Sequence, residues 1–190
     1  MPRQERTREL LIENAVRLVE EVGLASFTAR EVARRVGVSH AAPFRHFPGR
    51  SALLADAALC GYRDLLGRVA SVRGLPEGSG RDLVLRRAME YVVFAGERPA
   101  LFELMFRPDV VSDAGERVHD HCLGVFAHLI HGADGGAASP HEVSMLAGVH
   151  GLAVLASRGL LGPLAPDRLL GVLDRHLPLA LPFHDGARSS

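Results

Sequence analysis

The chain has 190 residues, of which 47% are hydrophobic and 23% charged, a mixture typical of a globular protein with one or two domains. Disordered, collagen-like and disulfide-scaffold classes are excluded, because the hydrophobic residues suffice for a core and only two cysteines, Cys60 and Cys122, are present. The 22 acidic residues balance 22 basic ones, all arginine, but residues 1–50 hold nine arginines against six acidic residues and are therefore basic.

The first residues, MPRQERTREL, do not look like a targeting segment, because they contain no apolar stretch. No uncharged apolar run of about 18 residues, the length that spans a membrane, follows them. The two cysteines lack Cys-x-x-Cys spacing and no basic cluster flanks either, which favours a reducing compartment and argues against a redox switch. We therefore expect a cytoplasmic protein that does not enter a membrane.

Helical periodicity dominates the sequence. Apolar residues recur every three or four positions, breaks rich in glycine and proline interrupt them, and no stretch alternates as a strand does. This pattern predicts an all-α fold of about nine helices, near residues 4–22, 29–36, 40–46, 51–72, 82–97, 99–106, 114–131, 141–158 and 167–177. Gly23 is expected to end the first helix, whose apolar stripe comprises Leu11, Ala15, Leu18, Val19 and Val22.

Residues 27–51, FTAREVARRVGVSHAAPFRHFPGRS, have the features of a helix-turn-helix motif. Thr28 can cap the second helix while Glu31 reaches back to it, which is a capping box. Gly37 suits the positive φ of a tight turn, and Ser39 can cap the third helix. The two aromatic residues that follow, Phe44 and Phe47, are expected in the core, and Pro43 should loosen the start of the third helix because it lacks an N–H.

The second helix of such a pair enters the major groove and presents its first residues to base edges. Arginine can bind guanine O6 and N7, histidine can donate to or accept from a base edge, and alanine methyls can touch thymine methyls. We therefore predict base contacts from Arg30, His40, Ala41, Ala42 and Arg45. Side chains at helix ends commonly hold phosphates, and here these are Thr28, Ser39, His46 and Arg50.

The pattern Thr28-x-x-Glu31-Val32-Ala33-x-x-x-Gly37-Val38-Ser39-x-x-x-x-Phe44-x-His46-Phe47-x-x-Arg50-x-x-Leu53-Leu54 resembles the DNA-binding domain of the tetracycline-repressor (TetR) family over about residues 8–60. The resemblance implies a homodimeric, ligand-responsive transcriptional regulator, usually a repressor. Its three N-terminal helices would bind DNA, and its variable C-terminal helices would form a pocket and the dimer interface. The family usually has tyrosine where this chain has Phe44, so a hydroxyl contact to phosphate should be missing, and commonly has lysine where Arg50 stands.

A boundary inside the fourth helix, near residue 50, divides the predicted helix-turn-helix domain, residues 1–50, from a C-terminal ligand-binding and dimerisation domain, residues 51–190. Two C-terminal stretches resemble a TetR subgroup with a Trp-His-Gly element, with valine in place of the tryptophan. They are Tyr91-x-x-Phe94-Ala95-x-x-x-Pro99-x-Leu101-Phe102-x-Leu104-Met105-Phe106 and Val149-His150-Gly151-Leu152-Ala153. No ligand is carried over from that subgroup.

Aromatic and methionine side chains are numerous on the predicted C-terminal helices. Ligand sites are mostly apolar with a few placed polar groups, which Tyr91 and His150 could supply. A filled core with a satisfied histidine is the alternative at each position. The predicted pocket residues are Met89, Tyr91, Phe94, Phe102, Met105, Phe106, Phe126, Met145 and His150.

Apolar stripes on the last two helices could pack against a second copy as a four-helix bundle, or could form the core of a single chain. The predicted interface residues are Leu146, Val149, Ala153, Leu169, Leu173 and Leu177. A dimer would place two recognition helices about one helical turn of DNA apart, and it would bind a near-palindromic operator.

Histidines on the seventh predicted helix raise the question of a metal. His128 and His131 have an i, i+3 spacing that could chelate zinc, but no third ligand is evident, and Arg117 and Asp120 border that side. We interpret it as a solvated polar face with His121 and Gly124, and predict no metal and no cofactor. No catalytic triad, phosphate-binding loop or dinucleotide fingerprint occurs, so we do not expect an enzyme.

These patterns together predict a DNA-binding transcriptional regulator. Its partners would be a double-stranded DNA operator, a second copy of the chain and a small apolar effector that releases the DNA. The alternatives are a small-molecule binding or carrier protein with a vestigial DNA-binding domain, an enzyme that uses the histidine-rich helix, and an activator rather than a repressor.

Overall fold

The computed structural model describes residues 3–73, 80–110, 116–131, 139–162 and 166–176, and helices are the only regular elements within these ranges. This confirms the predicted all-α fold. The helices are α1 (Arg3–Val22), α2 (Ala29–Val36), α3 (Pro43–His46), α4 (Arg50–Ser71), α5 (Gly80–Glu97), α6 (Pro99–Met105), α7 (Glu116–His131), α8 (Pro140–Ser157) and α9 (Pro166–His176). Residues 108–110 are helical as well. None of the described helices is both long and apolar enough to cross a membrane.

Helix α1 shows how the sequence sets the elements. Leu11, Ala15, Leu18 and Val19 are almost completely buried, as the helical spacing predicts, whereas Val22 in the last turn is 42% exposed. Gly23 follows with φ +71°, and its N–H donates to the Val19 carbonyl oxygen at 2.9 Å. A glycine in this left-handed conformation ends the helix, as predicted.

Packing divides the chain into two compact units, each discontinuous in sequence. Unit 1 comprises residues 1–65 and 97–123, and unit 2 comprises residues 66–96 and 124–190. Helices α4 and α7 therefore contribute to both units. The boundary predicted near residue 50 separates two functions and not two packing units, and it stays a prediction.

In unit 1, the core joins α4 to α6. The Tyr62 hydroxyl donates to the Met105 carbonyl oxygen at 2.6 Å, and the Tyr62 ring meets Phe106 edge to face with centroids 5.7 Å apart. Gly61 lets α6 approach closely, because a Cβ there would lie 2.7 Å from the sulfur of Met105. Burial and a hydrogen bond to the neighbouring Cys122 raise the pKa of Tyr62, so its hydroxyl stays protonated.

Ion pairs at the edge of unit 1 hold the same helices together. The Nε of Arg98, just before α6, donates to Glu20 of α1 at 2.5 Å, and the Nη1 of Arg98 pairs with Asp64 of α4. One guanidinium thus bridges three helices. Because Arg98 is only about a quarter exposed, water screens these pairs less than it screens an open surface pair.

Unit 2 contains a complete capping box at the start of α8. The Glu142 N–H donates to the Ser139 hydroxyl at 3.3 Å, and the Ser139 N–H donates to the Glu142 carboxylate at 2.5 Å. Arg81 of α5 pairs with Asp174 of α9, with 2.9 Å between Nη2 and Oδ1. The fully buried side chains here include Ala88, Tyr91, Phe94, Met145 and Leu173.

Candidate nucleic-acid interface

Thr28 is the N-cap of α2, as predicted. The Thr28 hydroxyl accepts a hydrogen bond from the Glu31 N–H at 3.2 Å. The Glu31 carboxylate does not complete the predicted capping box, because it accepts hydrogen bonds from Arg34, at 2.7 and 2.8 Å, and from Arg35, at 3.1 Å. These two guanidinium groups lower the pKa of Glu31 to about 2. The carboxylate therefore pairs with two of the arginines that made the segment basic and offsets one of their two charges.

The turn after α2 uses its glycine as the sequence predicts. Gly37 has φ +75° and ψ 29°, the left-handed conformation. The N–H of Val38 then donates to the Ala33 carbonyl oxygen at 3.0 Å, and the N–H of Gly37 to that of Arg34 at 3.2 Å. These two bonds satisfy carbonyl groups at the end of α2 and redirect the chain toward α3.

Helix α3 is shorter than predicted. It covers only Pro43–His46, and its N-cap is Ala42, without a side-chain hydrogen bond, rather than Ser39. Proline at the first helical position lacks only an N–H that would be unpaired there, so the helix can start at Pro43. The preceding residues form a turn, in which the Ala42 N–H donates to the Ser39 carbonyl oxygen at 2.8 Å. Pro43 was expected to loosen the start of α3, and instead the helix starts later in the chain, at Pro43 itself.

Phe44 on α3 and Phe47 at the end of that helix differ in burial. Phe47 is 4% exposed, as predicted, and the Arg8 guanidinium lies over its ring at 5.2 Å while pairing with the buried Asp56. Phe44, predicted in the core, is 60% exposed. In so short a helix only one aromatic side chain faces the bundle, and Phe47 occupies that place together with the buried Pro43.

Most of the residues predicted to contact bases are accessible. Arg30, His40, Ala41 and Arg45 are exposed, and Ala42 is half-buried. The side chains of Arg30, His40 and Arg45 form no hydrogen bond or ion pair with any described residue. Their hydrogen-bonding groups are therefore available to an external partner.

The residues predicted to contact phosphates are partly engaged within the protein. Thr28 and Ser39 are exposed, and His46 is half-buried with its ring centroid 6.4 Å from that of Phe47. Arg50 is exposed, yet it donates to the Leu24 carbonyl oxygen at 2.8 Å, and its guanidinium lies 5.4 Å from the centre of the Phe27 ring. Arg50 therefore has a structural contact besides its predicted one.

A groove of about 450 Å³ adjoins Arg50 in unit 1, and no sequence pattern marked it. Arg107 on its wall is held by Asp109 through two hydrogen bonds of 2.8 and 3.1 Å. The lining residues are Gly23, Leu24, Ala25, Arg50, Glu103 and Arg107. Both arginines of the groove already have partners within the protein.

The predicted pocket residues fall in two different units. Phe102, Met105 and Phe106 belong to unit 1, where Phe102 and Met105 are buried and the Phe102 and Phe106 rings lie 4.9 Å apart. The burial of Phe102 and Met105 favours a filled core, the alternative considered for them. The other six belong to unit 2 and are Met89, Tyr91, Phe94, Phe126, Met145 and His150.

Unit 2 brings three of these six residues together. The Tyr91 hydroxyl lies 3.0 Å from Nδ1 of His150, and the Tyr91 ring is 6.0 Å from that of Phe126. Tyr91 is fully buried, whereas Phe126 and His150 are half-buried. Burial lowers the pKa of His150, because it disfavours the charged imidazolium. A neutral histidine paired with a tyrosine is an uncharged polar group in an aromatic setting.

The predicted dimer-interface residues are mostly core residues of a single chain. A surface wholly buried within one chain cannot contact a second copy, and this corrects the prediction for four of them, namely Val149, Ala153, Leu169 and Leu173. Leu146 is half-buried. Leu177 lies outside the described residues.

The histidine-rich side of α7 is not the solvated face that the sequence suggested. His121, Gly124 and His128 are half-buried, Asp120 is exposed, and the His131 side chain lies outside the described residues. Within the described ranges, no group of three or more His, Cys, Asp and Glu side chains is placed to hold a metal ion. Burial raises the pKa of both cysteine thiols, which disfavours the reactive thiolate.

A capped helix, a left-handed glycine turn and a short second helix with exposed basic side chains define a helix-turn-helix DNA-binding protein. Family models agree with this class. Residues 11–57 match the model for bacterial regulatory proteins of the tetR family, and residues 84–177 match that for the C-terminal domain of tetracycline-repressor-like proteins. The two matches together cover most of the chain, which belongs to the TetR family of transcriptional regulators. Regulators of this family bind DNA, usually act as dimers and are generally not enzymes.

Solved structures show the same fold. A protein of unknown function from Rhodococcus sp. RHA1 is 28% identical, with a TM-score of 0.64 over 89% of this chain and 92% of its own. A tetR-family regulator from Streptomyces coelicolor is 19% identical, with a TM-score of 0.68 over 90% and 78%. The multidrug binding protein EbrR, complexed with imidazole, is 23% identical, with a TM-score of 0.64 over 94% and 95%. No curated protein matches the chain in sequence.

Proposed function

We propose that the protein is a ligand-responsive repressor that binds a near-palindromic operator as a homodimer and is released from it by a small effector. The observation that carries this proposal is Arg45, which is exposed on α3 and has no partner in the part of the chain that the structure describes. A solvated arginine on the second helix of this motif is suited to bidentate contact with guanine. Arg30 and His40 extend the same unpaired polar surface.

The DNA contacts would be shared among two groups of residues. Bases would be contacted by Arg30, His40, Ala41, Ala42 and Arg45, and phosphates by Thr28, Ser39, His46 and Arg50. The Thr28 hydroxyl accepts the Glu31 N–H but can still donate its own hydrogen to a phosphate oxygen. Glu31 keeps Arg34 and Arg35 in place, so these two arginines are not counted among the contacts.

A second copy of the chain would cover the exposed apolar face of α8. This helix is rich in apolar residues that are not confined to one face, whereas a helix at a protein surface normally has a polar outer face. One of its faces is buried within its own chain and includes Met145, Val149 and Ala153. The opposite face, which is exposed, includes Val143, Ala147 and Leu155. This face replaces the buried residues as the proposed centre of the two-fold interface, with Leu146 at its edge.

The effector site would lie in residues 51–190, at Tyr91, Phe126 and His150. Their aromatic surface and single hydrogen-bonded polar pair match the usual composition of ligand sites. The multidrug binding of EbrR, whose fold this chain shares, supports a small-molecule effector. An effector that prefers the DNA-incompetent state need supply only about 1–3 kcal/mol of coupling. We propose α4, unbroken from Arg50 to Ser71, as the lever. The resemblance to the Trp-His-Gly subgroup remains a proposal.

The remaining parts of the proposal are a cytoplasmic location and the absence of enzymatic activity and of a cofactor. A repressor requires an operator that overlaps the promoter of the regulated gene, so the position of the selected site distinguishes a repressor from an activator. The competing function is a small-molecule carrier with a vestigial DNA-binding domain. It predicts DNA binding without sequence preference.

The test is selection of bound duplexes from a fragmented source genome at two salt concentrations, with Arg45→Ala as the matched variant. We expect a near-palindrome from the wild type, with affinity that falls steeply as salt rises. Arg45→Ala should recover the same fragments with a relaxed preference at one base of each half-site. Recovery of unrelated, salt-labile fragments by both proteins, after removal of any co-purified ligand, would favour the carrier.

A further inference from the structure

Arg87 on α5 has an unsatisfied group in the interior of unit 2. Its Nε is completely shielded from solvent and has no hydrogen-bond partner within the described structure. A buried donor without a partner is unfavourable, and more so when it carries charge, because the desolvation is uncompensated. Most such groups in native proteins are paired, so an exception calls for an explanation.

The neighbours of Arg87 include a second arginine and a histidine. Burial and the charge of Arg73 lower the pKa of Arg87, and burial and the charge of Arg87 lower the pKa of His128. Arg73 donates to the Ala70 carbonyl oxygen at 2.6 Å, which holds it near the end of α4. Glu90, one turn along α5, is spaced to pair with Arg87, but no ion pair joins them. Among the described residues, no ion pair joins an acidic side chain to Arg87.

The aromatic group of unit 2 begins one helical turn from this cluster. Tyr91 follows Arg87 by four residues on α5, so their side chains share a face of that helix. Phe126 precedes His128 by two residues on α7, and its ring lies 6.0 Å from that of Tyr91. A buried guanidinium nitrogen without a partner among the described residues and an aromatic surface are thus carried by the same two helices.

We propose that Arg87 and His128 bind the carboxylate of a small molecule whose apolar body packs toward Tyr91 and Phe126. This proposal rests on the proposed function, because the molecule would be its effector. The proposed effector is then an amphipathic acid and not a purely apolar molecule. The planar guanidinium presents Nε and a terminal nitrogen as a fork that matches the two oxygens of a carboxylate. A neutral apolar ligand would leave the Nε without a partner.

The test uses the full-length protein without DNA. Octanoate and 3-phenylpropanoate serve as acids, octanamide and 3-phenylpropanamide as their uncharged analogues, and inorganic phosphate as an anion without an apolar body. Calorimetric titration and thermal unfolding should show binding of at least one acid, about ten- to hundredfold tighter than its amide, the range expected for hydrogen bonds to a charged group. Equal binding of acids and amides, or binding of phosphate alone, would overturn the proposal.

Two variants separate a ligand site from a structural arginine. Arg87→Met keeps the aliphatic stem and removes the charge, and Arg86→Met is its matched control, since Arg86 is the adjacent half-buried arginine on α5. Arg87→Met should abolish the preference for the acid and leave the ligand-free melting temperature unchanged or higher, because an unpaired buried group has been removed. Arg86→Met should keep the preference. If Arg87→Met lowers the melting temperature and the acid still binds better than the amide, Arg87 is structural and the proposal fails.

The outcome does not depend on operator binding. If the acid binds through Arg87 but no operator is recovered, the site stands and the repressor function falls. If an operator is recovered and no acid outcompetes its amide, the effector has another chemistry and this proposal falls alone.

Discussion

The Nη2 of Arg50 lies 2.8 Å from the carbonyl oxygen of Leu24, so the first residue of α4 closes the loop between α1 and α2. The same guanidinium lies over the Phe27 ring at 5.4 Å. Arg45, in contrast, has no partner among the described residues. Two arginines that the sequence assigned to DNA contacts thus differ in what their loss would do to the fold.

Arg45→Ala should weaken operator binding by about 1–3 kcal/mol and relax the preference at one base, while leaving stability unchanged. Arg50→Ala should weaken all duplexes alike, reduce the salt slope by about one, and destabilise the fold by about 1 kcal/mol through the lost hydrogen bond. Fluorescence anisotropy with specific and scrambled duplexes, together with urea unfolding, measures both effects. Equal loss of stability in the two variants would contradict the assignment.

Phe44→Tyr should tighten binding. Phe44 is 60% exposed on α3, and a hydroxyl on its ring would be in position to donate to a phosphate. We expect a gain of about 0.5–1.5 kcal/mol, the usual value of one hydrogen bond, on operator and scrambled DNA alike. Phe47→Tyr is the control, because Phe47 is buried and its hydroxyl would require a partner in the core. A gain confined to the operator would show that the new hydroxyl contacts a base.

Gly37→Ala should destabilise the protein by about 1–2 kcal/mol, because Gly37 has φ +75° and a side chain in this conformation is strained. The cost is purely conformational, since no atom lies within 4 Å of the added Cβ. Gly49→Ala is the matched control, with the same open space and no positive φ, and should be neutral or slightly stabilising. Similar melting temperatures for the two variants would show that the turn relaxes.

Val143→Glu should convert a dimer to a monomer. Val143 is 54% exposed on the apolar face of α8, and a carboxylate would be buried without a partner at a two-fold interface. Light scattering after gel filtration gives the mass, and circular dichroism checks that the helices are intact. Leu10→Glu, which alters a 39% exposed leucine on α1, is the control and should leave the mass unchanged.

Acid should destabilise the protein in two separate ranges. The pKa of His150 is lowered by burial, so the unfolded chain binds the proton more readily and stability is lost as the pH falls below 6.5, until the folded-state pKa is reached. The pKa of Glu31 is about 2 instead of 4.5, so its contribution is lost only between these values. Urea unfolding should show that His150→Gln reduces the loss of stability in the first range, to which His128 also contributes because its pKa is lowered too, and that Glu31→Gln reduces the loss in the second. A single transition unaffected by either variant would disprove both assignments.

Local signals predicted much of the fold. The helix boundaries came from apolar periodicity and from residues with one dominant use, such as Gly23 and Gly37, whose left-handed φ values the structure contains. Thr28 likewise caps α2. Such signals work because the physical cause lies within a few residues of the effect.

The sequence predictions fail where a feature depends on residues far away in the chain, or where one group can bond to several partners. Glu31 could bond back to Thr28 or forward to Arg34, and two forward guanidinium groups outcompete one backbone N–H. Four helical residues are too few for periodicity to show that Phe47, and not Phe44, faces inward. The buried Nε of Arg87 depends on side chains from other helices, which one-dimensional spacing does not contain.

The interleaving of the two units also bears on how the protein is made. Unit 1 needs residues 97–123, which include Arg98 and, on α6, the Met105 carbonyl oxygen that accepts from Tyr62. At a synthesis rate of about 5–20 residues per second, several seconds therefore pass between the emergence of the DNA-binding segment from the ribosome and that of residues 97–123, which complete its core. Residues 66–96, which belong to unit 2, emerge in that interval, before residues 124–190, which form the rest of that unit. Truncations that end before α6 should yield an N-terminal segment with exposed apolar surface, so a DNA-binding fragment of this chain should extend beyond residue 106.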